Sequence, residues 1–167
     1  ASDVYKRQVV YTGRMTYRNI KNHYVLIGFN ELSINMIREL YDECPSARIL
    51  LMSGIEAATV RHRIQSALPI EIERQVLVYF GNIESIEELQ RLNIESAIEV
   101  YVLGDEERYG RDAKNIAIVH LVSALRGKCS DGKMMPVYVQ FDSIPSYSNI
   151  QKMNLPPEVF CIEGKPN

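Results

Sequence analysis

The chain has 167 residues, a length that suits one domain, because domains usually contain about 100–150 residues. Charged side chains make up 24% and hydrophobic ones 46%, a globular composition that excludes a disordered chain, a collagen repeat and a coiled rod. The formal net charge of −2 is too close to neutral for the positive field of nucleic-acid-binding proteins. Nucleic acid is therefore not an expected partner.

The cysteines and the hydropathy of the chain indicate the cellular compartment in which it would be found. Cys44, Cys129 and Cys161 are widely separated and form no CxxC pair, so neither a disulfide framework nor a zinc site is indicated, and a reducing compartment fits. Every apolar run is far shorter than the roughly 20 residues that a membrane helix needs, and no signal-peptide pattern opens the chain. We therefore expect this piece of protein to be soluble.

The first part of the chain differs in charge from the rest. Residues 1–22 contain five basic side chains and one acid, a local charge of +4, which leaves −6 on the remaining residues. This segment has no clean apolar period. It is either a solvated tail or a basic linker beside a membrane, where positive side chains face the anionic cytoplasmic leaflet.

From residue 23 onward, short apolar runs rich in β-branched residues alternate with amphipathic segments. Such runs are typical of strands buried on both faces, and they predict strands at residues 23–28, 47–53, 75–81, 97–103 and 136–141. Apolar residues at helical spacing predict helices between them, at residues 31–43, 57–68 and 112–126, with a further short helix after Ser85.

Several residues mark the helix ends. Ser85 and Glu88 have the spacing of a capping box, and Asn93 suits the left-handed residue that ends the short helix. Asp112 is the expected cap of the last helix. Three apolar residues after Ser85 are expected to face the core: Ile86, Leu89 and Leu92.

Alternating strands and helices predict a parallel sheet covered on both faces, because crossover helices must pack on the sheet. Right-handed crossovers make this a doubly wound, Rossmann-like α/β fold. We assign residues 23–163 to the domain and residues 164–167 to the C-terminal end of the fragment. Ligands of such folds bind beyond the carboxyl ends of the strands, and four residues mark that rim: Gly28, Ser53, Gly81 and Gly104.

The first turn of the predicted fold departs from the pattern that binds dinucleotides. That pattern needs three glycines, and only Gly28 is kept, with Asn30 and Ser33 at the other two positions. Asn30 would place a side chain where the phosphate approaches, and Glu31 would repel the phosphate. We predict that Asn30 and Glu31 are cap and first-turn residues, and NAD binding is not favoured.

The end of the second strand lacks the acid that holds ribose hydroxyls in such folds, because Ser53 stands there and Glu56 follows three residues later. No cofactor is predicted, and NAD or another nucleotide stays an open alternative. If a ligand does bind at the rim, its site is expected to contain nine residues: Gly28, Phe29, Asn30, Glu31, Ser53, Gly81, Asn82, Gly104 and Asp105.

Patterns of catalytic or metal-binding residues are not recognisable. The histidines His23, His62 and His120 lie in no HExxH or other ligand-spaced pattern, and neither a GxSxG elbow nor a Walker loop is present. The acidic residues 105–107 form either a solvated loop or a site for a hard cation. We predict that the chain is not an enzyme and has no catalytic or metal-binding residues.

The segment 112–126 is apolar nearly all round. We predict that this helix packs on the sheet with one side and on a partner subunit with the other. The residues expected at this interface are Ile118, Val122 and Leu125. His120 is expected to be packed or interfacial rather than a general base.

Four passages, taken in order, carry a family resemblance. They lie at residues 23–28, 79–85, 89–97 and 102–106. The most specific passage has a glycine after the third strand, a short helix and then residues 93–97 leading into the fourth strand. These passages resemble the RCK domain, also called KTN or TrkA-N, over about residues 20–155.

Three later stretches are most similar to one branch of that family, found in large-conductance calcium-activated channels and the Castor and Pollux channel-like proteins; they cover residues 111–116, 137–140 and 149–153. The resemblance implies a cytosolic regulatory domain that pairs, and forms rings, beneath a cation pore and converts ligand binding into gating. No calcium ligands carry over position by position.

The chain departs from the nucleotide-binding members of this family at three places. Those members keep the glycine-rich turn, an acid after strand two and a Gly-Asp after strand three, whereas this chain has Asn30 with Ser33, then Ser53, then Asn82. Assembly depends on apolar helix faces rather than on the chemistry of the rim. We therefore expect assembly without classical NAD binding.

The expected function is regulation of a potassium or other cation channel or transporter from the cytoplasmic side of the cell membrane. The expected partners are copies of the chain itself, as a dimer or a gating ring, and a membrane pore domain in the same or another chain. Two alternatives remain. One is a nucleotide-binding Rossmann sensor or oxidoreductase, supported by the fold and Gly28, and the other is a scaffold module without a ligand.

Overall fold

In the computed structural model, the structure describes residues 19–126, 132–143, 147–156 and 158–162. The basic segment is therefore described only from residue 19, and Cys129 and residues 164–167 lie outside the described residues. The strands are β1 (Tyr24–Ile27), β2 (Ile49–Ser53), β3 (Val76–Phe80), β4 (Glu99–Val102), β5 (Val137–Gln140) and β6 (Val159–Ile162). The α-helices are α1 (Ser33–Glu43), α2 (Ala57–Ala67), α3 (Ile70–Glu73), α4 (Ile86–Leu89), α5 (Arg111–Leu125) and α6 (Tyr147–Lys152).

All six strands pair in parallel, in the order β3-β2-β1-β4-β5-β6. The chain moves outward from β1 to β3, returns to the middle at β4 and then moves outward on the other side. The strand order therefore reverses between β1 and β4, and a doubly wound sheet places its ligand crevice at this point. The predicted Rossmann-like α/β fold is confirmed, and its five predicted strands are joined by β6.

Alternation along the strands builds one hydrophobic core on each face of the sheet. In β1, Val25 and Ile27 belong to the core beneath α4 and α5, whereas Tyr24 and Leu26 belong to the core beneath α1 and α2. Because both faces are covered, the central strands contain almost only apolar residues. The remaining polar groups of these strands lie at the strand ends, where they could contact a ligand.

Two of the predicted helix ends are confirmed. The Ser85 hydroxyl accepts a hydrogen bond from the backbone N–H of Glu88 at 3.4 Å, and Asn93 has a left-handed φ of 50°. Of the three apolar residues after Ser85, Leu89 and Leu92 are buried, but Ile86 is 37% exposed. The inward prediction is therefore wrong for Ile86, which begins a helix only four residues long.

The predicted cap of α5 is wrong. This helix begins at Arg111, after Gly110 in a left-handed conformation. The Asp112 carboxylate instead accepts hydrogen bonds from the backbone N–H groups of Asp142, at 2.7 Å, and Ser143, at 3.2 Å. Asp112 therefore holds the loop after β5, because these two N–H groups have left the sheet ladder and need an acceptor.

The orientation of α5 corrects two predicted interface residues. Ile118 and Val122 are fully buried in the core of the protomer itself, since the helical period turns them towards the sheet. Leu125 is partly buried, and His120 is exposed rather than packed within the protomer. The outward side of α5 contains mainly small and polar residues, so the helix is not apolar all round.

Within the described ranges, no helix combines the length and the apolar composition that a crossing of the bilayer requires.

Candidate functional site

The carboxyl ends of β1 and β4 touch through two glycines. Gly28 has a φ of 98° and Gly104 a φ of 82°, a backbone region that residues with a Cβ rarely adopt. A Cβ added to Gly28 would lie 2.3 Å from the carbonyl carbon of Gly104. The first glycine of the turn is thus needed for close approach to β4, and the crevice at the reversal point is filled by backbone.

The side chain of Asn30 fastens the same turn to β4. Its Nδ2 donates to the carbonyl oxygens of Leu103 and Gly104 at 3.1 and 2.9 Å, and its Oδ1 accepts from the N–H of Leu32 at 2.8 Å. The Asn30 N–H donates to the Ser33 hydroxyl at 2.9 Å. Asn30 therefore lies in the turn itself. It is not the cap residue next to α1, and the predicted cap role is wrong.

The Asp105 carboxylate occupies the ends of β1 and β2. Its Oδ1 accepts from the N–H of Phe29 at 2.9 Å and from the hydroxyl of Ser53 at 2.7 Å. Its Oδ2 accepts from the N–H of Gly54 at 3.0 Å. Asp105 is therefore part of the folded rim. The solvated-loop interpretation of residues 105–107 fails for this member of the run.

Arg111 anchors an ion cluster across the ends of β1, β4 and β5. Its guanidinium contacts the carboxylates of Asp142 and Glu31, and it donates to the carbonyl oxygen of Asp105 at 3.0 Å. Arg108 also reaches Glu31, at 3.0 Å. Glu31 lies before α1 rather than in its first turn, so the predicted first-turn role is wrong and its partners are these two arginines.

The charges in this cluster shift one another's pKa values. Partial burial would raise the pKa of Glu31, but a backbone hydrogen bond and the two arginines outweigh it and hold that pKa below its ordinary value. Burial likewise opposes the charge of Arg111, yet its hydrogen bonds to Asp142 and Glu31 raise its pKa. Both groups are therefore charged near neutral pH, and they attract each other.

A cleft of about 1200 Å³ opens beside this cluster, towards the end of β3. Four predicted rim residues line it: Gly81, Asn82, Gly104 and Asp105. The other five are not among its lining residues: Gly28, Phe29, Asn30, Glu31 and Ser53. The structure thus divides the nine residues, because the turn after β1 is packed against β4 whereas the turn after β3 borders solvent.

A polar triad on the cleft wall was not predicted. Tyr79 donates through its hydroxyl to Glu88 at 3.3 Å and accepts from Arg91 at 3.1 Å. The hydrogen bond to Tyr79 and then the charge of Glu88 raise the pKa of Arg91. The available signal was a tyrosine in an otherwise apolar strand run, since a buried phenol usually needs a hydrogen-bond partner.

The residues at the rim do not fit a phosphate-bearing nucleotide. The N–H of Phe29 and that of Gly54 already donate to Asp105, and Asn30 fills the gap between the turns. The cleft wall contains five acidic residues against three basic ones, the acids being Glu56, Glu84, Glu88, Asp105 and Glu107. Among the described residues, no group of three or more acidic, histidine or cysteine side chains could hold a metal ion.

Comparison with known proteins gives matches in structure only. No family model matches this sequence, and no curated protein matches it. The GsuK RCK domain superposes with a TM-score of 0.65 at 12% identity, covering 96% of this chain and 30% of that chain. The TrkA-N domain of the inner membrane protein ybaL from Escherichia coli gives 0.54 at 16% identity, covering 86% and 89%.

The GsuK channel bound to NAD gives a TM-score of 0.62 at 13% identity, covering 95% of this chain and 25% of that chain. The chain therefore has the fold of RCK and TrkA-N domains, and the predicted resemblance is confirmed in fold. It spans less than a third of the length of these GsuK chains.

Proposed function

We propose that this chain is a regulatory domain of a potassium or other cation channel or transporter, and that it acts on the cytoplasmic side of the membrane by assembling with copies of itself. The observation that carries this proposal is the six-stranded parallel sheet, which is shared with the GsuK RCK domain over 96% of the chain. The similarity to a TrkA-N domain of an inner membrane protein supports the same assignment. A pore domain would be the second partner.

The chemistry of the rim favours regulation over catalysis. The charged groups around Arg111 pair with one another, and the polar groups around Tyr79 do the same. Catalytic acids and bases are usually found with perturbed pKa values in reach of a substrate rather than tied to partners in this way. That the chain is not an enzyme stays a prediction.

The proposed assembly surface is the outward side of α5. Because Ile118 and Val122 belong to the protomer core, contact between copies would use the residues that point away from the sheet. Leu125 remains in this surface as a partly exposed residue. It is joined by the exposed Ala113, Ala117, His120 and Ala124 and the partly exposed Leu121.

Gating would then follow from rigid-body movement between paired domains. A packed α/β core deforms little, whereas an interface between subunits can have two discrete arrangements. The small side chains on the outward side of α5 would let two helices approach closely. The signal passed to the pore domain would therefore be a change in the relative position of two regulatory domains.

Sedimentation velocity over a wide concentration range tests the assembly. We expect a dimer or a larger ring for the parent chain and a monomer for Ala117→Arg, because the added charge would be buried between two helices. Thr59→Arg is the matched control, since it adds the same side chain to an exposed position of α2. A parent chain that stays monomeric throughout, or an assembly that Ala117→Arg leaves intact, contradicts the proposal.

A nucleotide sensor is the second candidate, and the cleft of about 1200 Å³ is the observation in its favour. The GsuK channel has been solved with NAD. Calorimetric titration with NAD, NADH, ATP and AMP separates the two candidates. We expect no heat of binding, and saturable heat with any of these nucleotides would favour the sensor.

A further inference from the structure

The strand ends of β1 and β2 point two backbone N–H groups and a hydroxyl at one place. The N–H of Phe29 follows the Gly28 turn, the N–H of Gly54 follows β2, and the Ser53 hydroxyl lies beside them on a fully buried residue. In a doubly wound fold, these turns face the phosphate and ribose of a bound nucleotide. Three donors converging on one point form a site for an anion.

We propose that the Asp105 carboxylate is a built-in anion that fills this site and closes it to phosphate-bearing ligands. Both of its oxygens are used, Oδ1 by Phe29 and Ser53 and Oδ2 by Gly54. The inference does not depend on the regulatory role proposed above, because it concerns only the rim of a single protomer.

The fit between the carboxylate and its donors is close. The hydrogen bonds measure 2.7, 2.9 and 3.0 Å, lengths within the usual range of protein hydrogen bonds, and an ionised acceptor strengthens such bonds. A Cβ added to Gly54 would lie 3.1 Å from Asp105 Oδ2, so the carboxylate rests directly on this backbone. A second anion would have to displace Asp105 and would meet its negative charge.

Asp105 is tied to the rim from its backbone as well. Arg111 donates to the Asp105 carbonyl oxygen at 3.0 Å, and the same guanidinium contacts Glu31 and Asp142. The ion cluster therefore holds the Asp105 backbone in place and keeps its carboxylate within reach of the three donors. This arrangement makes the closed rim a stable feature of the fold that needs no ligand.

The neighbouring acids do not share this role. Glu106 forms an ion pair with Arg63 on α2. Glu107 is exposed and borders the cleft. Glu107→Ala therefore removes the same charge from the same loop while leaving the three donors covered, which makes it the matched control for Asp105→Ala.

The test measures phosphate binding by the full chain and its variants. Inorganic phosphate and ADP are titrated by calorimetry and by thermal melting, with chloride at equal ionic strength as the reference. We expect Asp105→Ala to melt at a lower temperature than the parent, and phosphate, but not chloride, to restore part of that loss. Its affinity for phosphate should exceed that of the parent and of Glu107→Ala by about tenfold or more.

The two ligands distinguish a site for free phosphate from a site for a nucleotide. Binding of both by Asp105→Ala, with neither bound by the parent, supports the proposal, and tighter binding of ADP would identify the nucleotide as the better fit. Parent chain that binds phosphate or ADP as tightly as the variant overturns it. So does an Asp105→Ala chain that melts like the parent, or one that is destabilised and gains no phosphate affinity.

Asp105→Asn provides the second variant if the alanine chain does not fold. Its amide keeps one oxygen for Phe29 and Ser53, but it presents N–H groups to Gly54 and carries no charge. We expect a smaller loss of stability and a measurable gain in phosphate affinity over the parent. An asparagine variant that binds phosphate no better than the parent overturns the proposal.

Discussion

The two halves of the rim both lie at the carboxyl end of the sheet, but their side chains and backbone contacts differ. In the closed half, at the turn after β1, the contact of Gly28 with Gly104 and the hydrogen bonds of Asn30 leave little space, and the Arg111 cluster ties this turn to the ends of β4 and β5. In the open half, beside the end of β3, the Tyr79 triad lines a cleft. The comparison teaches that topology fixes where a ligand could bind, whereas the side chains at the strand ends decide whether that place stays available.

Among substitutions in the closed half, Gly28→Ala should cause the largest loss of stability. The new Cβ would overlap the backbone of Gly104, and neither strand can move without disturbing the centre of the sheet. We expect a loss of about 3 kcal/mol or more in the free energy of unfolding, or failure to fold. Urea denaturation measures the loss.

Gly110→Ala is the control for that substitution. Gly110 also has a positive φ, of 68°, but a Cβ there would have no atom within 4 Å. Only the backbone strain of about 1 kcal/mol should remain. Equal losses for Gly28→Ala and Gly110→Ala would show that the approach of the two strands is not the cause.

Removing the cation that anchors the closed half should have the next largest effect. The Arg111 side chain is 3% exposed and contacts two carboxylates. Arg111→Met would leave Asp142 and Glu31 without it, and we expect a loss of about 2 kcal/mol in unfolding free energy, because both carboxylates are partly exposed and water replaces part of the interaction. Lys114→Met, on an exposed residue of the same helix that borders the cleft, should change stability by less than about 0.5 kcal/mol. Similar losses for both would show that the effect does not come from the ion cluster.

The smallest expected effect is a pH dependence of stability that comes from Glu31 in the closed half. The pKa of Glu31 is lower in the folded chain than its ordinary value of 4.5, so its contribution to stability is complete above that value. The contribution is lost as the pH falls through the folded pKa. Urea midpoints of Glu31→Gln and the parent chain should therefore differ near neutral pH and converge in strong acid. A difference that is constant across this range contradicts the assignment.

The strands and their alternation with helices could be predicted from the sequence, because strands buried on both faces must be continuously apolar. Two local features were also predictable, because their sequence signals lie within a few residues of one another. Ser85 caps a helix through a residue three positions later, and Asn93 adopts the left-handed conformation that asparagine tolerates better than most residues. Both signals depend only on neighbours in the chain.

The prediction of the site was weaker, because its contacts join residues that are far apart in the chain. Asp105 bonds to residues after β1 and β2, and Asp112 holds the loop after β5 instead of capping α5. For α5, composition showed many apolar residues but not which ones face the sheet. Ile118 and Val122 were therefore assigned to an interface when they belong to the core.

The sequence by itself determined the fold class of this protein and the absence of the usual glycine pattern after β1. Both depend on residue types at short, fixed spacing, which act through local conformation and strand burial. The tertiary structure alone decided that the rim is closed on one side and open on the other. That outcome depends on which charges and backbone groups from separate strands meet at hydrogen-bonding distance. The local pattern of residues along the chain does not show which of these groups meet.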